Sequence, residues 1–532
     1  MTGGAKCIIL CLDGTWDNSD DGYQKPTPQN PNASLQVPSN VTRIYRALAT
    51  QSLDGKRQVM YYHPGLGTTG NITDAIAGGA FGAGISENIR EAYSFIAINY
   101  EPGDKIIIVG FSRGAFTARS VAGLITEIGL LTRKGMEDFY PIFKDAENST
   151  NPYYKDEFPT VPFPNKPKPP NHEEEYKRRL EEGGFTRVFD PDGRRIKVRC
   201  VAVWDTVGSL GIPETNIGNQ LRLPLSTRQY KFYDTSLSNG IEYAFQALAL
   251  DETRTPFAPA VWERPSNVRT DLRQVWFPGS HANVGGGYPD QEAANICMAW
   301  MMDQLASIGI GFEHATIDKL FQENVSYYYN TRSKARLSTS GSKRKAWAQW
   351  AISSVYDEHK PVRPWGLGQI YDSEVGFYHL SGKTVRTPGM YHRINPDTSS
   401  PTSEFLVNTN ERIHRSVRIR LGLDGLGLDD IGLYKCPALF EKGPWRLRRM
   451  RTRTWELDPR YPPWSLSGDP DEILDEGRDF CWVWVYAGPR TNAPPETIMI
   501  EETLGPYERK LLRLNKGRAF YKSLISDRMS LR

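Results

Sequence analysis

The chain has 532 residues, 24 % of them charged and 39 % hydrophobic, and its 65 Lys and Arg nearly balance 62 Asp and Glu for a formal net charge of +3. That balance gives no basis for a nucleic-acid partner, and the length predicts two to four domains. Six cysteines (Cys7, Cys11, Cys200, Cys297, Cys436 and Cys481) form no C-x-x-C pair. Cys7 and Cys11, on one strand face, stand about 13 Å apart at about 3.3 Å per residue, too far to bridge. Reduced thiols in a cytoplasmic setting are expected. The apolar run "CIILCL" stops at Asp13, too short for a signal-peptide core, and the glycine-rich run from Ala75 to Ile85 is too short to span a bilayer.

In chain order, "KCIILCLDG" and "RQVMYYHPG" read as the first two strands, followed by a helix with Ile85, Ile89, Ala92 and Ile96 on one stripe. "KIIIVG" is a continuous β-branched run, the signature of a strand buried on both faces, and a second helix follows from Ala115. "KVRCVAVWD" and "RQVWFPG" are further strands, and helices are expected at Thr235–Leu250 and Gln291–Ile308. Alternating strands and helices predict an α/β fold with a mostly parallel sheet covered on both faces, and functional groups beyond the carboxyl ends of the strands. Asp13, Ser112, Asp205 and His281 all fall at such ends.

An insertion of different composition occupies about 134–195. It holds "PTVPFPNKPKPP" and a charged helix with Glu173–Lys177, Glu174–Arg178 and Glu175–Arg179 at i,i+4, and it reads either as a lid or as a surface excursion. From Arg336 onward aromatics and prolines dominate. The expected organisation is a catalytic domain over 1–335 and a C-terminal extension or accessory domain over 336–532.

Gly110-Phe111-Ser112-Arg113-Gly114 fits G-x-S-x-G between a strand and a helix, the setting of a nucleophile elbow. A serine needs a base and the base an orienting acid, in the chain order serine, acid, histidine. Of eight histidines, His281 directly follows a strand and opens the loop "SHANVGGGYP", with His414 in reserve. Asp205 is the favoured acid over Asp234, Asp251 and Asp290. Oxyanion donors are expected at the N–H of Arg113 and in the loop after the first strand, at Gly14 and Thr15. "CLDGT" also resembles the D-x-D-G-T of aspartate-nucleophile phosphatases, but Cys11 occupies the nucleophile position. Asp17, Asp20 and Asp21 miss the spacing of a calcium loop, and Gly78–Gly84 lacks the Lys-Ser/Thr of a P-loop. The basic stretch "WRLRRMRTRTW" reads as an exposed strand face, with anionic lipid head groups as its alternative partner.

"CLDGTWDN", "YYHPGLGT", "GFSRGAFTARSVAGLI", "VAVWDTVGSLGIP", "ALALDETRTPF" and "WFPGSHANVGGGYPD" occur in the order seen in the type VI secretion phospholipase-effector-like catalytic domain family, with bacterial and fungal members. The resemblance covers roughly Lys6 to Met302. It implies an α/β-hydrolase with a Ser112–Asp205–His281 triad acting on carboxylic esters, phospholipids among them. Two departures stand out: Asn283 where the family has aspartate, and Gln246 where members often have histidine.

The expectation is a serine esterase of lipase or phospholipase type needing no metal or organic cofactor. Its alternatives are an esterase, thioesterase or lactonase for small molecules, and a hydrolase-fold binding protein with weakened turnover. Asn283 is the candidate tuning position. An ester or lipid substrate and peripheral membrane contact are the expected partners; the oligomeric state is not legible.

Overall fold

The computed structural model describes residues 4–14, 23–24, 34–35, 37–65, 80–149, 151, 154–167, 173–207, 236–337, 362–373, 382–395, 401–441, 443–451 and 480–515. Seven strands form one parallel sheet: β1 (Cys7–Leu12), β2 (Gln58–His63), β3 (Lys105–Phe111), β4 (Val198–Trp204), β5 (Ile241–Ala249), β6 (Asp271–Phe277) and β7 (Glu411–Ile413), in the spatial order β7-β6-β5-β4-β3-β1-β2. The fold is therefore α/β, of hydrolase-like architecture.

The strand alternation explains the two core layers. Ile8, Leu10 and Leu12 of β1 face helices α2 (Ala80–Asn99) and α3 (Ser112–Ile128). Cys7, Ile9 and Cys11 face the other way, into a core shared with α1 (Asn40–Ala47) and α5 (Glu292–Ser307); the intervening short α4 is His281–Gly285. Both faces of the central strands are thus out of water, which is why their sequences read as unbroken apolar runs. The predicted stripe of Ile85, Ile89, Ala92 and Ile96 is buried in the first of these layers.

The expected helix over Thr235–Leu250 is instead strand β5, with Thr235 outside the described residues. "IEYAFQALA" contains good helix formers, but its slot lies between β4 and β6. Backbone ladders on both edges and burial of Ala244, Phe245, Ala247 and Leu248 override local propensity there. The helix Glu173–Glu182 forms, and its charges pair at both i,i+3 and i,i+4. Arg178 binds Glu175 and Glu182, Lys177 binds Glu174, and Arg179 donates to the carbonyls of Pro164 and Asn165. The described part of the 134–195 insertion buries Phe139, Ile142, Phe143, Tyr176 and Leu180 in the α2–α3 core.

The C-terminal third contributes β7 to the main sheet, Ile413 pairing with Trp276. It also forms a three-stranded antiparallel sheet of β8 (Trp445–Arg451), β9 (Phe480–Tyr486) and β10 (Ile498–Ile500). Trp445, Trp484 and Met499 of this sheet share a core with Leu248 and Trp276. Arg446, Arg448 and Arg449 of β8 are exposed. Among the described residues Cys7, Cys11, Cys200, Cys297 and Cys436 are free and buried. Among the described residues no helix is long and apolar enough to cross a membrane.

Candidate active site

The carboxyl ends of β1, β3, β4 and β6 bring the polar candidates together. In register Leu12 lies beside Gly110, and Phe111 beside Trp204, so the residues that follow, Asp13, Ser112 and Asp205, emerge from one edge of the sheet. Ser112 has φ 56° and Asp205 φ 39°, left-handed backbone at two adjacent strand ends. For a serine this conformation costs on the order of 1–3 kcal/mol, which the surrounding packing must hold in place. The packing is tight: a Cβ on Gly114 would lie 2.2 Å from the Leu12 carbonyl oxygen, and one on Gly110 would lie 2.5 Å from that of Gly114. Only glycine fits at either elbow position.

Asp205 and His281 meet directly. The Asp205 Oδ2–His281 Nδ1 distance is 2.6 Å, with both side chains buried. Asp234 lies outside the described residues. Asp251 accepts from the Gly279 N–H and the Tyr434 hydroxyl, and Asp290 from Tyr328 and the Gln369 N–H. The imidazole is sandwiched by Phe111, at 4.6 Å between ring centroids, and Phe257, at 5.0 Å. Its Nε2 is buried and has no hydrogen-bond partner among the described residues. Burial pushes the His281 pKa below its ordinary value, and the hydrogen bond it donates to Asp205 only partly offsets this. The ring is therefore a neutral base with a lone pair available at neutral pH. Burial alone would raise the pKa of Asp205, but the charge of Arg386 and the bond to His281 outweigh it and hold the carboxyl well below the usual range.

The loop after β1 is braced by Asp13. Its buried carboxylate accepts from Ser39, Thr42, Tyr62 and the Gly14 N–H, at 2.7–2.9 Å. The Gly14 N–H, expected as an oxyanion donor, is thus bound to Asp13 Oδ1 at 2.8 Å. Gly14 serves as a close-packing spacer: a Cβ there would lie 3.2 Å from Ser112 Cβ. Thr15 lies outside the described residues. Arg113 is the second residue of α3, in the helix turn whose N–H groups have no intrahelical acceptor. Cys11, at the phosphatase nucleophile position, is buried in the core.

Neither family departure touches the imidazole. Asn283 Oδ1 accepts from the Ser280 N–H and hydroxyl and from the Tyr371 N–H, while its Nδ2 donates to Gln369 O. It ties the histidine turn to the segment 369–371. Gln246 binds Thr206, Gln274 and the Ala260 carbonyl inside the sheet. His414 directly follows β7 and is fully buried between Ser416 and Glu508, its ring stacked on Phe277 at 4.4 Å, and both its ring nitrogens are engaged there.

Sequence reasoning missed two contributors. Glu252 accepts the His281 N–H at 3.2 Å and is held by Arg254 and Ser373; it sits in the quoted block "ALALDETRTPF". Arg386, from the C-terminal third, binds Asp205 and carried no signal in the sequence.

A serine at a strained strand-to-helix corner, with a histidine and a carboxylate at neighbouring strand ends, defines a hydrolase-like α/β protein. The chain belongs to the family of T6SS phospholipase effector Tle1-like catalytic domains, whose model matches residues 6–304. It is 30 % identical over 269 residues to Uncharacterized protein YEL023C of Saccharomyces cerevisiae, a match that covers 47 % of this chain and 32 % of the yeast protein. A crystal structure of an uncharacterized protein from Pseudomonas aeruginosa aligns with a TM-score of 0.33 and 15 % identity, over 66 % of this chain and 54 % of that one.

Proposed function

We propose that the chain cleaves carboxylic esters through an acyl-enzyme on Ser112, with the acyl esters of phospholipids as the first substrates to test. The observation that carries this reading is the 2.6 Å Asp205–His281 pair, with Nε2 unpartnered among the described residues on a ring packed against Phe111, the residue preceding Ser112. No Ser112–His281 hydrogen bond is formed among the described residues, and such bonds are often long before substrate binds.

Ser112 Oγ attacks the acyl carbonyl carbon as its proton passes to His281 Nε2. Asp205 holds the ring by Nδ1 and faces the imidazolium charge. The Arg113 N–H, in the first turn of α3, is directed to the oxyanion. Collapse breaks the ester bond, and the alcohol leaves with the proton from His281. Water then attacks the acyl-serine, gives its proton to His281, and the carboxylic acid departs as the serine is restored.

The family match supports lipid over small-molecule esters. Asn283 and Gln246, the two departures that favour a binding protein with weakened turnover, make their bonds within the turn and the sheet. Labelling by a fluorophosphonate and hydrolysis of phospholipid vesicles against short acyl esters are the tests. Labelling and turnover should both vanish in Ser112→Ala, with a loss of about 10³-fold or more. More than a few per cent residual turnover in that variant would overturn the assignment.

A further inference from the structure

Asp205 receives a second partner from far along the chain. Arg386 Nη1 donates to Asp205 Oδ1 at 2.5 Å and to Ala249 O at 2.7 Å. Its Nη2 donates to Asp205 Oδ2 at 2.9 Å and to Phe257 O at 2.8 Å. The guanidinium is buried, and with the Ala249 N–H on Oδ1 and His281 on Oδ2 it leaves the carboxylate fully bonded. The segment is anchored on its own account: Thr384 N–H donates to Thr253 O, Thr255 N–H to Gly382 O, and the hydroxyls of Thr255 and Thr384 meet at 2.9 Å. Arg386 lies beyond residues 6–304, the span of the family match.

We propose that Arg386 is a positioning residue of the active site, through which the C-terminal third sets both the orientation and the charge of the carboxylate that serves His281. The proposal rests on the Ser112–His281–Asp205 reading above. A planar two-pronged cation fixes both oxygens of Asp205 at once, which a lysine cannot do. The Phe257 carbonyl it binds belongs to the residue whose ring packs on the imidazole, so one side chain braces two walls of the histidine.

The charge has a second consequence. A carboxylate shared with a cation stabilises the imidazolium less, so His281 stays neutral to lower pH than an Asp–His pair alone would allow. The other charged groups around the pair are Glu252 on the His281 N–H, Arg254 beside it, and Asp251 on the Gly279 N–H. Arg386 also draws down the pKa of Asp251 and Glu252, so the shift is read in an Asp251→Asn background as well, where that carboxyl cannot titrate and a persisting shift reports the clamp.

The test follows the imidazole titration of His281 by NMR, and turnover on a soluble ester, in the full chain carrying Arg386→Gln or Arg386→Lys. Arg386→Gln should raise the His281 titration by at least roughly half a unit and lower kcat about 10–100-fold with little change in KM. Arg386→Lys should leave the titration near wild type but lower kcat, because the charge stays and the fork is lost. An unshifted titration in Arg386→Gln, or wild-type kcat in Arg386→Lys, would overturn the proposal. Should Arg386→Gln not fold, the kcat of Arg386→Lys decides. A wild type that hydrolyses nothing sinks the hydrolase reading instead, while the titration still decides the clamp.

Discussion

Asp205 reaches His281 across 76 residues of sequence because Asp205 directly follows β4 and His281 opens α4 just past the end of β6, and the sheet register brings both strand ends to one edge. The pair is out of water, and that sets the pH behaviour of the base. Burial lowers the His281 pKa, and protonation of the imidazole would remove the lone pair that takes the serine proton. The acidic limb of kcat/KM should therefore fall below the ordinary histidine value of about 6.5. A pH–rate profile of the wild type on a soluble ester checks this; a limb at or above 7 would mean that His281 is solvated or that another group titrates.

Asn283 should behave as a turn former. Its amide makes four bonds to Ser280, Tyr371 and Gln369, none of them to the imidazole. Asn283→Ala leaves buried donors of Ser280 and Tyr371 without acceptors, and should cost about 1–3 kcal/mol of stability. Asn283→Asp keeps the acceptor oxygen, so the acidic limb should move by less than roughly half a unit. Chemical denaturation measures the first effect and the pH–rate profile the second. A larger shift of the limb would give Asn283 the tuning role that the family's aspartate suggests.

Much of this site is legible in sequence because each of its three central residues lies within a few positions of the end of an apolar run. Ile106–Val109 before Ser112 and Val201–Trp204 before Asp205 leave little choice but strand, and strand ends are where α/β folds place chemistry. β5 was not legible, since Ala, Leu, Gln and Glu suit a helix and only its neighbours in the sheet make it extended. The commitment of the Gly14 N–H to Asp13 depends on a side-chain rotamer that no pattern encodes. Arg386 is illegible for a different reason: its partner is 181 residues away, and "TVRTPG" has the look of any surface turn.

Asp251 supplies a stability signature that is separate from catalysis. Burial raises its pKa from 3.8 to about 6, against the bonds from Gly279 and Tyr434. A folded-state pKa above the unfolded value means that folding favours the protonated acid. Its contribution is fully present below about pH 4 and is lost as pH rises toward 6. Over that window wild-type stability should lose on the order of 2–3 kcal/mol from this group. Asp251→Asn has no proton to lose, so its stability curve should be flatter between pH 4 and 6. Urea denaturation at several pH values compares the two; parallel curves would show that Asp251 is already ionised when folded.

Asp13 carries the last expectation, because it joins the first strand to the nucleophile without touching substrate chemistry. Its carboxylate gathers the hydroxyl of Ser39, the N-cap of α1, the Thr42 hydroxyl within α1, the Tyr62 hydroxyl from β2 and the Gly14 N–H. The loop so fixed presses on the elbow, with Gly14 against Ser112 and the Asp13 carbonyl against Gly114. Asp13→Ala would leave those donors buried without their acceptor; Thr42 and Tyr62 can still bond each other at 3.1 Å, which limits the loss. A stability decrease of about 2–4 kcal/mol is expected, since an abandoned buried donor costs about 1–3 kcal/mol. The loop would also relax away from α3, so Ser112 would sample orientations other than the reactive one. Turnover should then fall about 10–100-fold, with KM nearly unchanged and fluorophosphonate labelling slowed to a similar degree. Asp13→Asn, which keeps one acceptor oxygen, should recover part of both losses. If Asp13→Ala loses stability but labels at the wild-type rate, the loop is a structural brace only, and the elbow keeps its geometry through the glycines alone.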